Sequence, residues 1–171
     1  MGARLLIVGL APGLKGANRT GRPFTGDYAG DLLYATLKDF GFAQGRYEAR
    51  PDDTLTLIGA RITNAVRCLP PENKPTGAEA RACRPFLAAE IAAMAELRVI
   101  LALGTIAHAN ILAALNLRKA DHAFGHGALH ELAGGITLAD SYHCSRYNTN
   151  TRRLTTEMFR AVFAAIRQRL G

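Results

Sequence analysis

The sequence predicts an α/β chain, a three-layer αβα sandwich around a central, mainly parallel four-stranded sheet. Two observations predict it. Short apolar runs of strand type alternate with stretches of helical periodicity along the whole chain, the pattern of parallel strands joined by crossover helices. One run, Arg98-Val99-Ile100-Leu101-Ala102-Leu103, is apolar from its second residue on, as a strand covered on both faces must be. At 171 residues the chain fits one domain, 1–171, large enough to bury a core without staples.

The elements follow in order. Leu5-Leu6-Ile7-Val8 reads as the first strand. Residues 9–27 form a loop with five glycines in nineteen residues, which lets the backbone approach a ligand closely. Asp27 opens a helix in which Leu33, Leu37 and Phe40 recur at helical spacing. Residues 43–57 are mixed and polar, with a turn signal at Arg50-Pro51-Asp52-Asp53. Residues 60–66 read as the second strand, which runs into a loop, 68–76, where three prolines forbid regular structure. Thr76 with Glu79 is a capping box, and the helix it opens carries Leu87, Ile91 and Met94 as a stripe. After the third strand, Gly104-Thr105 starts a helix to about Leu115. Residues 116–135 are a glycine- and histidine-rich loop region, and 136–142 the fourth strand. A polar loop with three arginines, 143–153, precedes a last helix with Phe159, Val162, Phe163 and Ile166 inward and Arg160, Arg167 and Arg169 outward.

The net charge is +7, and 17 of the 21 basic residues are arginine, whose planar fork suits phosphates and base edges. Composition by itself favours nucleic acid only mildly. No run is long enough to span a bilayer, Met1 is followed almost at once by a strand, and three cysteines are too few for a disulfide framework. The expected location is the cytoplasm, with no membrane partner.

Several familiar chemistries do not fit. Gly9, Gly13 and Gly16 are spaced G-x-x-x-G-x-x-G, not as a dinucleotide fingerprint, and Lys15 is followed by glycine, which breaks a phosphate-binding loop. His122, His126 and His130 are four apart, but Gly125 and Gly127 argue against a helix aligning them. They read as loop and surface residues, with His126 near the site mouth, and no metal site is expected.

In a parallel sheet the ligand sits at the carboxyl ends of the strands, which gathers loops 9–27, 64–76 and 143–153. They bring Phe24, Asn64, His143 and Asp27 together within a ring of arginines. Phe24 offers a flat face for a base or a simple anchor for its loop. Asn64 offers a donor and an acceptor for a base edge or a turn. Asp27 stands where a helix cap would stand. His143 closes a strand, where it either serves chemistry or is merely hydrogen-bonded.

The motifs also carry a resemblance. Gly9-Leu10-Ala11-Pro12-Gly13 with Asn18-Arg19-Thr20-Gly21-Arg22-Pro23-Phe24-Thr25-Gly26-Asp27 resembles the first motif of the uracil-DNA glycosylase superfamily. It is most similar to family 5 (type b), with leucine where family 4 has glutamate. Residues 63–68 and 70–76 resemble its middle segment, and 141–151 its second motif, usually H-P-S. The resemblance implies a monofunctional glycosylase of DNA base-excision repair that hydrolyses the N-glycosidic bond of flipped-out uracil. Uracil-containing single- and double-stranded DNA would be the substrate and abasic-site DNA the product, and the protein would act as a monomer. By the same resemblance Phe24 would stack on uracil and Asn64 would read its edge, with Leu10, Ala11 and Gly13 holding the base. His143 would stabilise the departing oxygen, and Asp27 would position water or stabilise the sugar cation. Asn18, Arg19, Arg22, Lys74, Ser145, Arg146, Arg152 and Arg153 would meet DNA. A non-catalytic module that binds uracil or abasic sites is the alternative.

Families 4 and 5 carry a four-iron, four-sulfur cluster held by four cysteines. Cys68 and Cys83 fall at two ligand places, while Cys144 replaces the proline of H-P-S. No segment ahead of the first strand brings two more. The expectation is therefore no cluster and no other cofactor, with Cys68 and Cys83 as small buried residues.

Overall fold

A computed structural model describes residues 2–14, 16–70, 72 and 74–171; Met1, Lys15, Pro71 and Asn73 lie outside them. The parallel core is built from β1 (Leu5–Gly9), β4 (Ala60–Asn64), β5 (Val99–Leu103) and β7 (Thr137–Ser141). Between β1 and β4 come a short helix α1 (Ala17–Thr20), α2 (Tyr28–Asp39) and a small antiparallel ribbon of β2 (Ala43–Gln44) and β3 (Thr56–Leu57). Helices α3 (Gly77–Ala92) and α4 (Thr105–Ala114) flank β5, and α5 (Arg146–Asn150) and α6 (Thr156–Leu170) follow β7.

The sheet has five strands, not four. A three-residue β6 (Leu129–Glu131) pairs antiparallel with β7 at the edge, giving the order β4-β1-β5-β7-β6. It comes from the region read as loop. Leu-His-Glu has no apolar run of its own, and only the backbone partner offered by β7 makes it a strand.

The three layers follow from the period of two along β1. Leu5 and Ile7 face a core shared with Leu33 and Leu37 of α2 and Phe159 and Phe163 of α6. Leu6 and Val8 face the other core, with Leu87 and Ile91 of α3 and Ile111 of α4. Each fully buried side chain of this size stabilises the fold by roughly 1.5–3 kcal/mol. Helix α3 starts at the expected capping box: Thr76 Oγ1 accepts the Glu79 N–H at 3.2 Å, and the Glu79 carboxylate accepts the Thr76 N–H at 2.7 Å. On α6 the inward residues are buried as the spacing predicts, while Arg160 and Arg169 reach out to Asp39 and Glu131.

Parallel pairing in register sets the site. Gly9 lies opposite Asn64, and Leu103 opposite Ser141, so the loops leaving all four parallel strands emerge on one edge. No helix among the described residues is long and apolar enough to cross a membrane.

Candidate active site

On that edge lies a cavity of about 450 Å³ lined by Leu10, Ala11, Gly13, Phe24, Asp27, Tyr28, Ala29, His143, Ser145 and Arg146. Eight of these are residues the sequence singled out. Asn64 lines the adjoining hollow, with Asn18 and Arg67, and meets this group across Gly9. A Cβ on Gly9 would stand 2.4 Å from Phe24 Cζ and 2.6 Å from Asn64 Oδ1. The aromatic face and the amide oxygen therefore converge on one bare backbone carbon, and only glycine leaves that space open. Asn64 Oδ1 is one of two buried side-chain polar atoms without a hydrogen-bond partner among the described residues. A buried acceptor without a donor costs about 1–3 kcal/mol, which a ligand N–H would recover.

Phe24 is held in place against its own backbone preference. Its φ is +62°, a left-handed conformation rare for a bulky residue. The surroundings enforce it. Tyr34 Oη donates to the Pro23 carbonyl at 2.5 Å, Tyr47 Oη donates to the Phe24 carbonyl at 3.4 Å, and Thr20 Oγ1 donates to the Thr25 carbonyl at 3.1 Å. Gly30 of α2 lets the Phe24 carbonyl approach, since a Cβ there would lie 1.9 Å from its oxygen. Strain over-determined in this way concentrates where a side chain must be aimed.

Asp27 is the residue before α2, but its side chain makes no capping hydrogen bond. The carboxylate lies instead against Gly13 and Gly16, where Cβ atoms would come within 2.6 and 2.1 Å of it. Burial raises its pKa above the ordinary value. The His143 imidazole is pushed down to about 4 by burial, so it is neutral at physiological pH and has one N–H to donate. Its ring lies 6.0 Å from that of Phe24. The N–H groups of Ala11 and Gly13 find no acceptor among the described residues. The cavity thus presents a flat ring, an unpaired acceptor, a neutral imidazole, a desolvated carboxylate and free backbone donors.

The outer residues divide. Arg146 lies over the Tyr28 ring at 4.9 Å and Arg153 over Tyr142 at 5.1 Å. Arg152 is exposed near Tyr28, and Asn18 and Arg19 are exposed on α1. Ser145 uses its hydroxyl to cap α5 through the Asn148 N–H. Lys74 is exposed ahead of α3 and lines neither hollow. Arg22 is a correction: its fork grips Asp53 with two 2.8 Å bonds, donates to Thr25 Oγ1 and to the Arg50 carbonyl, and packs on Tyr34 and Tyr47. The Arg22 guanidinium holds the Asp53 carboxyl well below the usual range. Four of its five N–H groups are engaged in holding the loop.

One of the three spaced histidines is a second correction: His130 lies on the strand β6 against Asp140 rather than in a loop. His122 and His126 lie in loops and are partly buried, and His126 stacks on Tyr142 and accepts its N–H. Sequence reasoning also passed over Tyr28 and Ala29, whose place directly after Asp27 was the available signal. It missed a neighbouring cavity of about 430 Å³ that shares Leu10 and His143 and adds Thr105, Phe124 and Tyr142.

The cysteines do not supply a four-thiolate set. Cys83 is buried and its Sγ accepts the Arg67 N–H at 3.4 Å, which puts neighbouring Cys68 nearby, although Cys68 is exposed and not buried as expected. Cys144 is fully buried against the Ala29 carbonyl, and burial pushes its thiol up to about 12.

The family model of the uracil DNA glycosylase superfamily matches residues 1–167. A type-5 uracil-DNA glycosylase of Thermus thermophilus is 50% identical over 169 residues, covering 99% of this chain and 77% of that protein. The type-5 enzyme of Mycobacterium bovis is 43% identical over 98% of this chain and 63% of its own length. That of Pyrobaculum aerophilum is 40% identical over 92% and 68%. The chain thus spans about two thirds to three quarters of the length of these relatives.

Proposed function

The chain belongs to the uracil DNA glycosylase superfamily, and from that premise we propose that it excises uracil from DNA by hydrolysis, leaving an abasic site. The observation that carries this reading is the unpaired Asn64 Oδ1 beside the Phe24 ring, across a glycine that leaves room for a planar base. Uracil N3–H is the donor that oxygen lacks, and the Asn64 amide N–H complements the adjacent uracil oxygen. Phe24 stacks on the extruded ring.

As the C1′–N1 bond breaks, its electron pair goes to uracil and negative charge grows on the ring oxygen. Neutral His143 donates to that oxygen, where a charged imidazolium would lose its proton to the leaving group instead. Leu10 offers no base, so Asp27, desolvated and without a side-chain hydrogen-bond partner among the described residues, orients the water that attacks C1′ and accepts its proton. The N–H groups of Ala11 and Gly13 hold the base or the water.

Arg146, Arg152 and Arg153 neutralise backbone phosphates of single- or double-stranded DNA, with Asn18, Arg19 and Lys74 further out. We further propose that the protein acts as a monomer in the cytoplasm and that this chain works without an iron–sulfur cluster. Its cysteines leave a four-thiolate set incomplete. Iron and sulfide analysis of the purified protein tests that point: four irons per chain would refute it.

The functional test incubates labelled uracil-containing single- and double-stranded oligonucleotides with the protein and cleaves abasic sites with alkali. Excision by wild type, strongly reduced in His143→Ala, supports the reading. Retained DNA binding without excision would favour the binding module instead.

A further inference from the structure

A second cluster lies behind the catalytic cavity. Asp140, on β7 three residues before His143, is wholly buried. Its Oδ1 is 2.7 Å from His108 Nδ1, and its Oδ2 is 2.8 Å from His130 Nε2 and 3.3 Å from the Gly125 N–H. The other side of the His108 ring is occupied too: Nε2 lies 2.7 Å from the His122 carbonyl oxygen. A carbonyl oxygen only accepts, so Nε2 carries a hydrogen. In a neutral ring Nδ1 would then aim a lone pair at a carboxylate across 2.7 Å. A proton must lie between them. With two further donors on Oδ2 the carboxylate form of Asp140 is favoured, so the proton belongs to the ring. A shared metal ion would hold its ligand atoms farther apart than a direct N–H···O bond does.

We infer that His108 is a buried imidazolium paired with Asp140, and that the pair positions the cleft wall facing His143. Its hydrogen bonds tie α4, the 122–125 segment, β6 and β7 together. Phe124, between the two anchored points His122 and Gly125, packs edge-on against the His108 ring at 5.6 Å and walls the 430 Å³ cavity that His143 shares. One residue beyond Gly125, His126 Nδ1 accepts the Tyr142 N–H at 3.0 Å, so the same segment fixes the backbone next to His143. Among the described residues, the titratable groups around the pair are His130 from β6 and His122 and His126 from the loop. Glu131, next on β6, is engaged by Arg169 of α6. The role of the pair in excision rests on the proposed function; its protonation does not.

The test is long-range ¹H–¹⁵N spectroscopy of the side-chain imidazoles of the whole protein at about pH 8, where an unperturbed histidine is neutral. One of the five histidines is expected to show both ring nitrogens protonated. That signature should vanish in His108→Gln and persist in His130→Gln. Five neutral rings would overturn the inference, as would zinc copurifying at one ion per chain and shifting the His108 signal on chelation. In the activity arm, His108→Gln should slow single-turnover excision on the order of tenfold with DNA affinity unchanged. Undiminished excision would overturn the positioning role. A wild type that shows the imidazolium but excises nothing would sink the proposed function alone.

Discussion

At the scale of single residues the chemistry turns on two shifted groups. His143 has a native pKa of about 4 against roughly 6.5 in an unfolded chain, so the unfolded state binds the extra proton first. Its contribution to stability is complete above the unfolded value and is lost as pH falls toward 4, while the neutral donor needed for excision persists through the physiological range. Asp27 shifts the other way, so excision is expected to fall on the acid side as the carboxylate protonates, above the ordinary carboxyl value. Asp27→Asn should remove that acid limb and slow single-turnover excision by about 10²–10⁴-fold, the usual weight of a positioned base. An unchanged pH profile would take Asp27 out of the mechanism. Gly9→Ala tests recognition: its methyl would collide with both Phe24 and Asn64. Calorimetric or fluorescence titration should show free uracil binding lost, and binding equal to wild type would refute the convergence of those two side chains on the base.

At the scale of elements, the first loop is not floppy despite its glycines. It is a strained turn braced from α2 and from the 46–53 loop, with Arg22 as the central tie to Asp53. Arg22→Ala leaves the covered Asp53 carboxylate without its partner and should lower stability on the order of 2 kcal/mol by urea unfolding. Because the same tie holds Phe24 at positive φ, excision should fall at temperatures where the variant is still folded. Full activity in a folded variant would show that the strain is maintained elsewhere.

For the whole molecule, the distribution of charge matters more than its sum. Several arginines remote from the cleft are paired with carboxylates, Arg118 with Asp121, Arg160 with Asp39 and Arg169 with Glu131, while Arg61 and Arg67, beside Asn64, share Glu90. Arg146 and Arg153 near the site lie on aromatic rings, and neither they nor Arg152 has a carboxylate partner among the described residues. Positive charge at the mouth of the cleft is therefore left without a carboxylate partner, where a nucleic-acid backbone would meet it. DNA affinity should fall steeply with salt, and Arg152→Gln and Arg153→Gln should each reduce the log–log salt slope by about 0.9 on duplex DNA. Arg118→Gln, on the paired side, should leave the slope unchanged. Equal effects from all three would argue against a localised interface.

The sequence by itself determined the layers and the edge where the site lies. The unbroken apolar run of β1, the capping box at Thr76 and the inward stripe of α6 are local signals that the packing simply obeys. So are Phe24, Asp27 and His143, because Asp27 and His143 stand beside a helix start and a strand end and Phe24 in the loop leaving β1, all of which strand order brings to one edge. The tertiary structure decided what depends on partners distant in the chain. It made β6 from three residues with no strand signal, since a backbone ladder needs only β7. It turned Arg22 inward, because Asp53, thirty-one residues away, offers a covered carboxylate that matches its fork. It drew His108 and His130 onto Asp140, a contact that no spacing foretells, because burying one carboxylate requires donors from wherever the fold can supply them.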